Sequence, residues 1–233
     1  MRQQARVFGI VLCGLAAVAC GDNDDPSAVT GVVYSWEESP VPITVAGVTV
    51  GVFGTDISDT SNADGRFTLR NVPTGDVFFT TEAAGHWGLV DYWVVPTGGD
   101  ISLNVIRDGE IARWETELER LIPATEGAVD ILYYGRTGEG PVGGETGTIT
   151  PSGGDAPFTF DVWTPVDQAS VIADEFNFGE LVFPSVDPAN ATITATVTGA
   201  PGETRCVVDE TPGTQYPIMA KTLTIVYAFC QPL

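Results

Sequence analysis

Histidine is nearly missing from this chain of 233 residues: His86 is the one copy. A nucleophile held beside a base needs a histidine or another base next to serine or cysteine, so the triad chemistries lose their commonest proton carrier. No Gly-x-Ser-x-Gly elbow is present either. Cysteine is scarce, with four copies and neither a Cys-x-x-Cys pair nor a His–Cys cluster, which removes the usual metal-ligand spacings. Lysine and arginine number 10 against 31 acidic residues, a formal net charge of -21, and a chain this acidic repels phosphate backbones. Nucleic acid is therefore not an expected partner. The glycine-rich stretch Gly138 to Gly144 lacks the lysine and the following helix of a phosphate-binding loop, and reads as a turn. Acidic pairs are plentiful, so counting alone leaves a glycosidase dyad open without singling out any pair. The expectation is a protein with no enzymatic activity, no cofactor and no metal.

What is abundant is glycine (27) and proline (16), while helical runs are few, which favours an all-β protein with many turns. The first nineteen residues are an exception: Arg2 and Arg6 lead an apolar run from Val7 to Val18, about twelve residues and too short to span a bilayer as a helix. That order is a secretory signal over residues 1–19. It ends Leu15-Ala-Ala-Val-Ala-Cys20, which resembles the bacterial lipobox, where the cysteine is acylated and becomes the new N-terminus. The resemblance implies lipid attachment at Cys20, an address in the bacterial cell envelope, and a membrane contact made by lipid alone; cleavage near Ala19 to give a soluble secreted protein is the alternative. Residues 20–28, rich in aspartate, form an acidic tether. Cys13 leaves with the leader and Cys20 carries lipid, so Cys206 and Cys230 remain, in a compartment where disulfides persist; they are expected to pair.

Folding information is densest between Thr60 and Gly75. Asn62-Ala-Asp-Gly65 is turn chemistry, Arg66 to Arg70 alternates with Phe67 and Leu69 on one face, and Val72-Pro-Thr-Gly75 closes the strand. Phe67, Leu69, Val77 and Phe79 are expected in a core, with Phe78 facing away by parity. The Asp-Gly-Arg-Phe and Asn-Val-Pro-x-Gly pieces resemble the signature of the carboxypeptidase regulatory-like domain, a small transthyretin-like β-sandwich. With strands at Val29–Tyr34, Val48–Phe53, Ile57–Ser61, Leu89–Val95 and Ile101–Ile106, the resemblance covers roughly residues 29–106 and implies a non-catalytic module. A calcium loop is rejected at the turn, because Thr60 and Asn71 stand where such a loop needs Asp and Glu.

Residues 107–122 read as a connecting amphipathic helix with the stripe Ile111, Trp114, Leu118 and Leu121, an N-cap at Asp108 and a stop at Pro123. The stripe packs on the sandwiches or meets a partner. Strand grammar returns over 127–233. Phe183 to Ala189 followed by Ala191 to Ala195 echoes Leu69 to Gly75 followed by Val77 to Thr81, and Gly138 to Gly144 resembles the family's opening turn, so this half reads as a diverged copy, with an unrelated sandwich as the alternative. The whole is expected to be two tandem Greek-key, transthyretin-like sandwiches joined by a short helix. Its function is that of a binding or structural module meeting an envelope protein or a polysaccharide. Aromatics available for sugar stacking are Trp36, Trp87, Tyr92, Trp93 and Trp163, against a role in core packing for each. The richest recognition element is the loop Gly85-His-Trp-Gly88 with the strand behind it, which makes His86, Trp87, Tyr92 and Trp93 the candidate ligand-binding residues.

Overall fold

The computed structural model describes residues 28–36, 42–97, 99–135, 140–174, 178–209 and 213–233. The expected leader, Cys20 and most of the tether lie outside the described residues. The first half contains β1 (Val29–Trp36), β2 (Ile43–Thr44), β3 (Thr49–Val52), β4 (Ser58–Thr60), β5 (Arg66–Leu69), β6 (Gly75–Glu82), β7 (His86–Val95) and β8 (Ile101–Arg107). Helix α1 (Asp108–Glu117) follows. The second half contains β9 (Gly127–Tyr134), β10 (Thr146–Thr150), β11 (Phe158–Asp161), β12 (Thr164–Val166), β13 (Gly179–Val186), β14 (Thr192–Thr198), β15 (Thr204–Val208), β16 (Tyr216–Pro217) and β17 (Thr222–Pro232). The chain is mostly β.

In the first half, β1 pairs with β2, β5 and, in parallel, β8. Facing it, β4, β3, β6 and β7 form an antiparallel run. Period-2 alternation turns Phe67, Leu69, Val77 and Phe79 inward, where they share one core with Val29, Val33, Val50 and Leu103. The turn before β5 forms as its residues dictate. Asn62 Oδ1 accepts the backbone N–H of Asp64 and of Arg66 at 2.9 and 3.0 Å, and Gly65 sits at φ 74°.

In the second half, β12, β11, β13, β9, β17 and β15 make one sheet, and β10, β14 and β16 cover one face of it. Between them lie Val129, Ile131, Tyr133, Leu181, Ile193, Tyr216 and Val226. Cys206 and Cys230 stand directly opposite in the β15–β17 ladder, Cα atoms 4.1 Å apart, and are joined by the expected disulfide. The echo of the first half at 183–189 is not a turn at its start. β13 runs through to Val186 with an irregular register, and the chain turns at Pro188–Asn190.

The halves do more than follow one another. β17 pairs in parallel with β9 over Leu223 to Phe229, and Thr222 to Thr224 also pair in parallel with Gly88 to Val90 of β7. The C-terminal strand therefore joins the sheets of both halves into one. Phe78 faces away from the first core, as its parity requires, and lands against the second, edge-on to Tyr92 (5.6 Å) and Tyr216 (5.9 Å).

Helix α1 closes the joint. Ile111, Trp114 and Leu118 are buried with Trp87, Leu89, Ile106, Ala128, Leu223 and Ile225, so one apolar cluster collects residues from both halves. Burying a side chain as large as Trp114 stabilises by about 2–3 kcal/mol. Two expectations for the helix are corrected. Its N-cap is Arg107, without a side-chain cap, while Asp108 pairs with Lys221 at 2.9 Å. Leu121 is 74% exposed and Ile122 is buried in its place, because the helix ends at Glu117 and Glu119 turns to φ 53°, which shifts the periodicity. Among the described residues no helix is long and apolar enough to cross a membrane.

Candidate functional site

β7 is the strand that positions the site. Its first half pairs with β8 at His86 and Trp87 and with β17 from Gly88 to Val90, and from Val90 to Val95 it pairs with β6. Beyond Val90 it parts from β17, whose Ala228 to Pro232 pair instead with β15. The divergence opens a notch of about 590 Å³ lined by Tyr92, Trp93, Val94, Tyr134, Phe178, Asp209 and Tyr227. Among the described residues, each lining side chain is aromatic, aliphatic or acidic.

Carboxylates fix the polar tips of these rings. Asp91, itself buried, accepts the indole N–H of Trp93 at 3.0 Å through one oxygen and the hydroxyl of Tyr227 at 3.0 Å through the other. One side chain of β7 thus ties a ring of its own strand to a ring of β17. The Tyr134 hydroxyl donates to Asp209, and the Tyr92 hydroxyl donates to Asp76 at 2.8 Å. The Tyr134 and Tyr227 rings stand 6.3 Å apart at 83°, forming a corner.

The four residues expected to form one site are distributed over three places. Tyr92 and Trp93 line the notch. Trp87 is 3% exposed and belongs to the joint core beneath α1, so it does not project. Its expected loop is the start of β7, and Gly88 is needed there because a Cβ would collide with the Thr81 carbonyl of β6. His86 lies at the rim of a different, more polar groove of about 960 Å³, lined also by Thr49, Asp56, Thr80, Glu82 and Lys221, and its Nδ1 is 3.0 Å from the Ala84 carbonyl. Of the other stacking candidates, Trp36 packs on the joint core, and Trp163 sits at the β11–β12 turn beside α1. The aromatic pairs in contact among the described residues all meet edge-on, at 62° to 83°.

Sequence reasoning missed Tyr134, Phe178, Asp209 and Tyr227. Tyr134 ends β9 and Tyr227 lies in the middle of β17, and only the parallel β9–β17 ladder and the return of β17 to β7 bring them to Trp93.

Buried carboxylates in the second half differ in their surroundings. Glu145 accepts the N–H of Val142 (2.8 Å) and Gly143 (2.9 Å) and the Thr204 hydroxyl (2.9 Å), so it holds the glycine-rich turn in place. It lies beside Cys206 and Cys230, whose sulfurs are bonded to each other. Asp130 of β9 is 1% exposed and neither carboxylate oxygen has a hydrogen-bond partner. Burial pushes its carboxyl up to about 8. Glu180 on the adjacent strand is raised too, first by burial and then by the charges of Asp130 and Asp174.

No family model matches this chain, and no curated protein does. Among solved structures, a type II cohesin–X-dockerin complex from Acetivibrio cellulolyticus matches at 20% identity over 40% of this chain and 70% of its own, with a TM-score of 0.31. The shaft pilin SpaA from Lactobacillus rhamnosus GG matches at 11% identity over 87% of this chain and 97% of its own, TM-score 0.27. The minor pilin GBS52 of Streptococcus agalactiae matches at 11% identity over 88% and 96%, TM-score 0.27. Similarity this low carries no weight for function.

Proposed function

We propose that this chain is a non-catalytic lipoprotein of the bacterial cell envelope, held to the membrane through acylated Cys20, that works as a binding or structural β-sandwich module. Residues 29–106 form a first unit of the carboxypeptidase regulatory-like kind and 127–233 a second, diverged one, with α1 between them. The observation that carries the binding role is the notch: both units contribute to it, its rings are held by carboxylates, and it offers an apolar surface beside the rigid sheet. Anchoring is supported by the charged, apolar and small-residue order that ends at Cys20. Carbohydrate binding is the second reading, favoured by the number of aromatic rings in the notch.

Mass spectrometry of the native protein tests the anchor, and an unmodified N-terminus sinks it. A glycan array and a pull-down of envelope proteins, each run with wild type and Trp93→Ala, test the recognition surface. The reading expects at least one ligand whose binding is lost in the variant while thermal unfolding shows the variant folded. A set of ligands indifferent to Trp93 removes the notch from the function.

A further inference from the structure

The polar groove that has His86 at its rim is separate from the notch, and the two share no lining residue. We propose that this groove is a second binding site and takes an uncharged polysaccharide chain, one sugar ring of which stacks on Phe53. The floor is the outer face of a sheet. Thr49 and Gly51 of β3 and Thr80 and Glu82 of β6 alternate with buried Val50, Val52, Phe79 and Thr81. The ladders set Thr49 beside Glu82, Gly51 beside Thr80 and, from β4, Ser58 beside Gly51. The floor dips at Gly51, where a Cβ would stand 3.0 Å from the Thr80 hydroxyl. Phe53 to Ile57 form one wall and Met219 to Thr222 of the second half the other, pinned by the Gly88 N–H, which donates to the Lys221 carbonyl at 3.0 Å.

The polar groups of this floor are unspent. Among the described residues, the hydroxyls of Thr49, Ser58 and Thr80 and the carboxylates of Asp56 and Glu82 form no hydrogen bond or ion pair within the protein. A hydroxyl both donates and accepts, and a carboxylate accepts through two oxygens, which matches the neighbouring hydroxyls of a sugar ring. Phe53 is 41% exposed, so its ring offers a face to the C–H side of a pyranose. Two other ligand classes fit less well. A peptide adds to a sheet by pairing with free backbone, and β3 in the floor is already paired on both sides, with β4 and β6. An acidic polysaccharide meets a chain of net charge -21, and the lysine of the lining, Lys221, is already paired with Asp108 at 2.9 Å.

The test is affinity electrophoresis of the full chain in native gels that hold hydroxyethylcellulose, xylan, glucomannan, laminarin or dextran. Polygalacturonate serves as the acidic probe and an array of random linear peptides as the polypeptide probe. At least one neutral polysaccharide is expected to retard the wild type. Phe53→Ala should weaken that binding about tenfold, and so should Asp56→Asn combined with Glu82→Gln, which keeps each shape and removes the charged acceptors. Trp93→Ala should leave it unchanged. Thermal unfolding checks that each variant is folded; should Phe53→Ala unfold, the amide pair decides alone, since both its positions are exposed. No retardation by any neutral polysaccharide, or retardation indifferent to both sets of changes, overturns the proposal. Retardation by polygalacturonate alone overturns the uncharged ligand, and peptides captured through Phe53 without any polysaccharide overturn the ligand class. Sugar binding lost in Trp93→Ala and kept in Phe53→Ala returns the sugar to the notch and removes it from this groove.

Discussion

The two halves treat buried polar groups differently. In the first, Ser61 accepts the Val48 N–H at 2.9 Å and donates to the Val45 carbonyl at 2.8 Å. Thr81 accepts the Leu89 N–H and donates to the Asn104 carbonyl, both at 2.8 Å. Among the described residues there, Ser35 is the exception, with a hydroxyl that has no hydrogen-bond partner. In the second half the polar burial is heavier and less even. Glu145 is fully satisfied by three donors, whereas Asp130, the Tyr133 hydroxyl and Ser185 have no hydrogen-bond partner. A buried carboxyl without partners opposes folding, so it persists only where other packing outweighs it. Asp130 lies on the strand face turned toward α1, with Val182 and Ile225 as its cross-strand neighbours. The apolar joint therefore has two tasks. It holds the halves together, and it offsets the cost of an unpartnered carboxyl that the second half buries.

The largest expected effect breaks that joint. Trp114 is 5% exposed and meets Phe158 and Phe160 edge-on, so Trp114→Ala should lower stability by about 3–5 kcal/mol in chemical denaturation. If the halves depend on the joint, one transition shifts as a whole; a loss confined to one of two separate transitions shows halves that stand independently.

Next comes the device found in the second half alone. Reducing Cys206–Cys230, or Cys230→Ser with Cys206→Ser, frees a loop of sequence separation 24 and should cost about 3 kcal/mol. Denaturation with and without reductant measures it, and an unchanged midpoint would mean that β15 and β17 hold without the bond.

Smaller, and opposite in sign, is the replacement of the unpartnered acid. The Asp130 carboxyl is raised above its unfolded value, so the folded state holds its proton more tightly. Its contribution is complete below the ordinary carboxylate range and is lost as pH rises through about 8. Asp130→Leu should raise stability by roughly 1–3 kcal/mol at about pH 9, with a smaller gain at about pH 5. Equal gains at both would show that the carboxyl does not titrate between them.

The smallest effect is expected at the residue that left the helical stripe. Leu121→Ser should change stability by less than about 0.5 kcal/mol, since the side chain is already in solvent. A loss comparable to that of Trp114→Ala would restore Leu121 to the joint.

Much of the first half was legible in the chain. Phe67, Leu69, Val77 and Phe79 are inward and Phe78 outward because strand parity is a local property, decided within three residues. Asn62 and Gly65 form their turn for the same reason. The disulfide followed from cysteine count and compartment. The apolar stripe was read correctly at Ile111, Trp114 and Leu118 and misjudged at Leu121, because the helix ends at Glu117 and Glu119 is left-handed, which no residue type announced. Trp87 was expected in a loop and is buried, since what covers it are Ile106 and a helix that local pattern cannot position.

By itself, then, the sequence determined the β character, the alternating faces, the turns, the acidity and the cysteine pair, all of which depend on neighbours a few residues apart or on composition. Only the tertiary structure decided that β17 returns to pair in parallel with β7, that Phe78 packs on the far core, and that Trp93 meets Tyr227 through Asp91 across 136 positions of chain. Pairing between distant strands is chosen by the summed burial of whole faces, and no local pattern carries that sum.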